Sequence, residues 1–169
     1  AGTDGLPTLD AICERITNER PTILHFVCHG MYRAAEQETF LFLHPSGPVD
    51  PNRPDAHVQR VSATDWIGRL RMLQAARGLP HLIFLSSCDT AAPEAETALG
   101  GLGQRLVREL GMPAVIAMTE AVDIGLAGQL ATAFYQRLLV QGAVDRALDE
   151  ACAALAGHGH VLVPALFSR

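Results

Sequence analysis

Two apolar runs of the sequence each end at a residue that can do chemistry. The run TILHFVCHG, from Thr22 to Gly30, ends in His29 and a glycine, and the run HLIFLSSCDT, from His81 to Thr90, leads into small polar residues and Cys88. In open parallel sheets, ligands and catalytic groups collect outside the carboxyl ends of the strands. If the two strands are neighbours, an imidazole and a thiol meet at one crevice. We therefore predict that His29 and Cys88 form a pair.

Each of these two residues also has an ordinary structural explanation. A free cysteine is often a small buried hydrophobe, and a histidine often serves only the local structure. Their joint position at two strand ends, with the histidine 88 − 29 = 59 positions before the cysteine, favours the chemical interpretation. Ser86 and Ser87 are rival nucleophiles beside Cys88, but serines at a strand end more often form local hydrogen bonds to the backbone.

A metal site is the competing interpretation of the same region. The residues of types that bind zinc are His25, Cys28, His29 and Cys88. On a single strand that rises about 3.3 Å per residue, His25 and His29 lie roughly 13 Å apart, and Cys28 points to the opposite face. We therefore expect neither a metal ion nor another cofactor.

The composition is that of an acidic globular protein. The chain has 169 residues, of which 49% are hydrophobic and 18% charged, so we expect one domain over residues 1–169. Because the net charge is -5, we expect no surface for nucleic acid or anionic membranes. No apolar run reaches the roughly 18 residues of a membrane span, and the start of the chain lacks the pattern of a signal peptide. The four cysteines show no repeated spacing, which favours a reducing compartment. We predict a cytoplasmic protein.

The periodicity of the chain predicts strands that alternate with helices. Apolar runs predict strands at Ile23–Cys28, Phe40–His44, Leu82–Ser86, Ala114–Met118 and Val161–Phe167. Pro164 in the last of these marks either an edge position or a bulge. Apolar residues three and four apart predict helices at Leu6–Arg20, after a capping box at Ser62–Asp65, and at Thr97–Leu110, Ile124–Val140 and Val144–Leu155. This alternation predicts an α/β/α sandwich with a mostly parallel sheet.

Three segments are predicted as connections. Met31 to Thr39 is polar and loop-like, and Gly30 permits a turn directly after His29. Pro45 to Arg60 holds four prolines and is either a lid or, as Pro-rich connectors more often are, a stiff spacer. Asp89 to Thr97 is small and acidic, and whether it is a cleaved activation loop stays open.

Five blocks of the sequence carry a family resemblance. They are HFVCHG, LIFLSSCDT, GMPAVIAMTEAVD, FYQRLLVQGAVDRALDEA and the closing VPALFSR. Together, in this order, they resemble the CHAT domain, a caspase-like and separase-like cysteine peptidase domain, from about Pro21 to Arg169. The resemblance implies a caspase-like three-layer α/β/α sandwich with His29 and Cys88 as the catalytic dyad. In caspases, too, the histidine precedes the cysteine, by roughly 50 residues.

The resemblance also implies a mechanism and a specificity. The Cys88 thiolate would attack a peptide carbonyl, and His29 would deliver a proton to the leaving amine. Backbone N–H groups of Gly30 and of Cys88 itself would hold the oxyanion. Related separase-like peptidases carry an aspartate in the pocket for the residue before the cleaved bond, and Asp123 matches it, with Glu120 as a weaker candidate. A carboxylate there would select arginine or lysine.

Several alternatives stay open. Asp123 directly precedes the predicted helix at Ile124, so its carboxylate also fits the N-cap position. The domain is either an active endopeptidase with a protein or peptide substrate, or a catalytically quiet interaction module whose dyad is not assembled. A third hypothesis is an amidase or transferase that acts on small molecules through the same thiol. Because the chain lacks an initiating methionine, we expect a fragment with a regulatory partner upstream, such as the tetratricopeptide repeats found beside some family members.

Overall fold

The structure is a computed structural model that describes residues 7–48, 57–75, 78–86, 98–118, 122–156 and 164–169. Within these residues the strands are β1 (Ile23–Val27), β2 (His29–Arg33), β3 (Glu38–Leu43), β4 (Gln59–Ser62), β5 (Leu82–Ser86), β6 (Ala114–Met118) and β7 (Pro164–Ser168). The helices are α1 (Leu9–Glu19), α2 (Ala63–Ala75), α3 (Ala98–Leu110), α4 (Ile124–Gln141) and α5 (Val144–Ala156).

A four-stranded sheet organises the chain in the order β1-β5-β6-β7. Strands β1, β5 and β6 run parallel, and β7 lies antiparallel at one edge. Every residue of β5 and of β6 is buried, which is why these strands read as continuous apolar runs rather than alternating patterns. The predicted α/β class with a mostly parallel sheet is confirmed. Of the two alternatives predicted from Pro164, the edge position is the one observed.

Two hydrophobic cores lie on opposite faces of this sheet. Successive residues of β5 alternate between them, so that Ile83 and Leu85 face the first core while Leu82 and Phe84 face the second. Helices α1, α2 and α3 cover the first core, and α4 and α5 cover the second. Helices therefore pack against both faces of the sheet.

A second sheet, in the order β2-β3-β4, corrects the prediction of a loop from Met31 to Thr39. Strands β2 and β3 form an antiparallel hairpin around a turn at residues 34–37. Gly30 lies inside β2 opposite Leu41, so the turn expected directly after His29 is also wrong. The hairpin exposes polar residues of β2 and is held in place by buried apolar side chains of β3. Because this burial comes from a neighbouring strand, the polarity of the segment itself could not predict it.

Local signals set several helix ends where the sequence predicted them. The backbone N–H of Asp65 donates to Ser62 Oγ at 2.9 Å before α2, and α4 ends at Gly142, whose φ of 71° is left-handed. The five predicted helices are observed with their bounds shifted by a few residues. No helix in the described part of the chain has both the length and the hydrophobicity to cross a bilayer.

Some predicted segments lie wholly or partly outside the described residues. These are residues 49–56 of the proline-rich connection, the whole of Asp89–Thr97, and residues 161–163 of the last strand. The end of the proline-rich connection is strand rather than spacer, because Gln59 and Arg60 belong to β4 and pair with β3.

Candidate active site

The strands that precede the two predicted catalytic residues are parallel neighbours. In the register of β1 and β5, Val27 lies opposite Ser86. One residue further, the backbone N–H of Cys28 donates to the Ser86 carbonyl at 3.2 Å. This confirms the predicted pairing of the two strands. Cys88 follows two residues after Ser86 and lies outside the described residues, so its contact with His29 stays a prediction.

His29 stands at the transition between the two sheets. It is the first residue of β2, one residue after the last hydrogen bond of β1 to β5, and it pairs with Phe42 of β3. Its side chain is exposed to solvent, whereas Gly30 beside it is buried. The backbone of His29 is therefore held by a strand rather than by a loop, while its imidazole remains accessible.

A cavity of about 520 Å³ opens beside His29. Its lining is mostly apolar and includes three histidines: Pro7, Ile12, Leu24, His25, Phe26, Val27, Cys28, His29, Phe42, Leu43, His44 and Ile124. This volume lies within the range of roughly 300–1,000 Å³ typical of small-ligand pockets. Among the described residues, no group of three His, Cys, Asp or Glu side chains could hold a metal ion.

Asp123 is the N-cap of α4. Its Oδ1 accepts hydrogen bonds from the backbone N–H groups of Gly125 at 2.9 Å and Leu126 at 3.2 Å. Its side chain is exposed, and the next residue, Ile124, lines the cavity beside His29. Asp123 itself is not among the residues that line the cavity. Glu120, the weaker specificity candidate, lies outside the described residues.

Sequence reasoning missed a polar pair beneath this edge of the sheet. His25 Nε2 is 3.1 Å from Ser86 Oγ, and the His25 ring packs against Phe84 at 4.7 Å and Tyr135 at 5.7 Å between centroids. Burial lowers the pKa of His25 and raises the pKa of Tyr135 to about 12. The available signal was that two polar residues stand in apolar runs of the sequence, where polar side chains that become buried need partners.

The three described cysteines, Cys13, Cys28 and Cys152, form no disulfide. Cys13 and Cys152 pack against the first and second core respectively, as their helical spacing predicted, and both are half-buried. Burial raises the pKa of each of these two thiols. A raised pKa disfavours the thiolate, so neither residue is suited to be a nucleophile.

The fold and this sheet edge define a class of protein. A mostly parallel four-stranded sheet flanked by helices is consistent with a caspase-like fold. The CHAT domain family matches residues 2–161, and the chain therefore belongs to this family, which is related to caspase-like cysteine peptidases. The chain has no significant match among curated proteins.

Proposed function

We propose that the protein is a cysteine endopeptidase with a His29–Cys88 dyad. The observation that carries the proposal is the parallel pairing of β1 with β5, locked at its end by the hydrogen bond from Cys28 to Ser86. His29 lies one residue beyond this bond, and Cys88 lies two residues beyond it in sequence. Membership of the CHAT family supports the assignment of the two roles.

The proposed reaction is acyl transfer through the Cys88 sulfur. The thiolate attacks the scissile carbonyl carbon, and the oxyanion is held by backbone N–H groups, for which Gly30 and Cys88 are the candidates. His29 protonates the leaving amine as the C–N bond breaks, which leaves a thioester on Cys88. Water then attacks the thioester, with His29 accepting its proton, and releases the acid product.

A preference for arginine or lysine before the cleaved bond is the proposed specificity. Asp123 supports it, because its side chain is exposed and directly precedes Ile124, which lines the same cavity as His29. Only Oδ1 is used to cap α4, and Oδ2 has no hydrogen-bond partner among the described side chains and backbone groups. That oxygen is available to accept from a guanidinium or ammonium group, whereas an acidic substrate side chain would be repelled.

The test is cleavage of a fluorogenic peptide library that varies the residue before the scissile bond. Wild type should cut after arginine or lysine, and Cys88→Ala should reduce cutting to background. Asp123→Asn removes the charge but keeps a good N-cap residue, so it should lose the basic preference without losing stability. Cys152→Ala removes a half-buried thiol from α5 and serves as the matched control, with activity expected to stay at the wild-type level.

Contrary outcomes separate the parts of the proposal. Retained basic preference in Asp123→Asn would refute the specificity assignment alone. Absence of cleavage by wild type, tested both as this chain and within a longer protein that contains it, would refute the peptidase assignment. The interaction module would then be the better hypothesis.

A further inference from the structure

A polar pair of one half-buried and one buried side chain lies beneath the sheet edge that carries His29. His25 is in the middle of β1, and its Nε2 is 3.1 Å from the Oγ of Ser86, the last residue of β5. Ser86 is only 2% exposed. A buried hydroxyl without a partner is costly, and here the partner comes from the neighbouring strand, 61 positions away in sequence.

Ser86 is bonded to β1 twice. Its side chain meets His25, and its carbonyl oxygen accepts from the backbone N–H of Cys28 at 3.2 Å. Ser86 is therefore held to the segment His25–Cys28 through its side chain and through its main chain. Cys88 follows within about 7 Å of extended chain, so the placement of Ser86 limits where the thiol can lie.

The surroundings of His25 fix its ring. Phe84 and Tyr135 pack against it at 4.7 Å and 5.7 Å, and Phe134 packs in turn against Tyr135 at 5.1 Å. Burial lowers the pKa of His25, which favours the neutral imidazole with one N–H and one acceptor nitrogen. A neutral ring can exchange one hydrogen bond with a serine hydroxyl without placing a charge in the second core.

We propose that His25 is a positioning residue of the peptidase. Through Ser86 it fixes the point where the chain leaves β5, and thereby the approach of the Cys88 thiol to His29. The inference rests on the proposed function. The proposed role of His25 runs through Ser86, and its side chain also lines the cavity beside His29. The expected cost of its loss is that of a displaced nucleophile, on the order of 100-fold for a shift of about 1 Å.

The first measurement is steady-state peptide cleavage by three single variants. His25→Phe keeps an aromatic ring in the layer but removes the hydrogen bond, and Ser86→Ala removes the partner with little change of volume. Both should lower kcat by about 10- to 100-fold with little change in KM. His25→Gln places an amide near the position of Nε2 and should restore kcat to within about threefold of wild type, since it can renew the bond.

Two comparisons make this test specific to the hydrogen bond. The double variant His25→Phe/Ser86→Ala should be no slower than either single variant, because both substitutions remove the same interaction. His81→Gln is the matched control, because His81 is an exposed histidine directly before the other end of β5. Additive losses in the double variant, or equal activities of His25→Gln and His25→Phe, would overturn the proposal.

Amide hydrogen exchange of the same variants gives an answer that does not need activity. In His25→Phe and Ser86→Ala, exchange should accelerate in the peptide that covers the end of β5 and Cys88, and exchange in α2 and α3 should stay unchanged. Unchanged exchange at the end of β5 overturns the positioning role. Accelerated exchange in a chain that cleaves no peptide supports the role of His25 in holding the chain, and refutes the peptidase assignment separately.

Discussion

The two hydrophobic cores of the protein differ in what they enclose. The first core, under α1, α2 and α3, is built on large apolar side chains such as Trp66, Leu70 and Leu106, all fully buried. The second core, under α4 and α5, also buries Phe84 and Phe134 but borders the polar group of His25, Ser86 and Tyr135. Both cores adjoin the candidate site: the first supplies Phe26 and Leu43 to the lining of the cavity beside His29, whereas the second lies on the sheet face that carries the contact between His25 and Ser86.

Ion pairs lie beside both cores, since Glu150 of α5 pairs with Arg137 at 3.7 Å and with Arg146 at 3.1 Å on the helices that cover the second core. Beside the first core, Arg105 of α3 pairs with Glu38 at 3.0 Å and with Glu109 at 2.8 Å, and this network is only partly buried. Beside the second core, the described contacts of His25 are aromatic rings and one hydroxyl, without an ion pair. Buried polar atoms occur beside both cores, since Trp66 Nε1 in the first core and the Tyr135 hydroxyl beside the second are buried without a hydrogen-bond partner among the described residues. The contact between His25 and Ser86 is distinguished by its place beside the candidate site.

The largest expected effect comes from matched deletions in the two cores. Trp66→Ala and Phe134→Ala should each lower the free energy of unfolding by about 3–5 kcal/mol, as measured by urea denaturation. Phe134→Ala should lower the kcat of the folded protein more than Trp66→Ala, because the Phe134 ring supports Phe84 at 5.4 Å and Tyr135 at 5.1 Å, the two rings that pack against His25. Met72→Ala, at a position 69% exposed, is the control for a surface truncation. Equal loss of kcat in Trp66→Ala and Phe134→Ala would refute a functional difference between the two cores.

Two glycines of α3 sharpen the description of the first core. A Cβ atom at Gly103 would lie 2.9 Å from Cδ2 of Phe167 in β7, whereas nothing lies within 4 Å of a Cβ atom at Gly101. Gly103→Ala should therefore destabilise the protein by about 1 kcal/mol through overpacking. Gly101→Ala should stabilise it by roughly 0.5–1 kcal/mol through helix propensity. Thermal unfolding of the two variants tests both expectations. If Gly103→Ala raises the unfolding temperature as Gly101→Ala does, the Phe167 side chain of β7 moves aside at little cost in free energy.

The pH dependence of stability should report on the second core. Burial lowers the pKa of His25 below its ordinary value of 6.5, so the folded state binds this proton less readily than the unfolded state. The stability contributed by neutral His25 is complete above pH 6.5 and falls as the pH drops from there through the folded pKa. Its described neighbours Phe84, Ser86 and Tyr135 carry no charge in this range.

Urea denaturation between about pH 7.5 and about pH 5 measures how the free energy of unfolding changes across the ordinary histidine pKa of about 6.5. This change with pH is the slope to be compared. Replacing His25 with glutamine should flatten it relative to wild type, while His81→Gln, at an exposed position, should leave it unchanged. An equal slope in wild type and His25→Gln would show that other groups govern the acid sensitivity.

The smallest expected effect is at the charge network beside the first core. Glu38 accepts from Arg105 at 3.0 Å and also from the Thr64 hydroxyl, which ties β3 to α3 and α2. Glu38→Gln should cost about 1 kcal/mol or less in chemical denaturation, and less again at high salt. Glu36→Gln, in the exposed pair with Arg33, should cost nothing measurable. A loss of several kcal/mol in Glu38→Gln would show that this charge network contributes as much to the free energy of unfolding as a buried side chain of the second core.

The elements that hold the sheet together were predictable from the sequence. Strands β5 and β6 are continuous apolar runs, and α4 ends at a glycine in a left-handed conformation, so local chemistry and tertiary structure agree there. The role of Asp123 as an N-cap was one of two predicted alternatives and is observed. Its role in specificity stays a prediction.

The hairpin and the polar pair could not be predicted from local patterns. Strand β2 is polar and depends on pairing with β3, whose apolar side chains supply the burial. From the sequence, His25 is a candidate metal ligand and Ser86 is a separate candidate nucleophile. Their contact depends on the relative register of β1 and β5, which aligns His25 with Phe84 and therefore places Ser86 diagonally across the same face.

The pairing of β1 with β5 also sets an order of events during synthesis. The residues that join these strands are far apart in the chain, with Cys28 and Ser86 separated by 86 − 28 = 58 positions. Contacts of this range form late, after the entropy of closing the intervening loop has been overcome. While the chain emerges from the ribosome, the segment that contains His29 is therefore complete well before β5 exists. The proposed dyad requires both strands, so the proposed peptidase activity should appear only when β1 and β5 have paired.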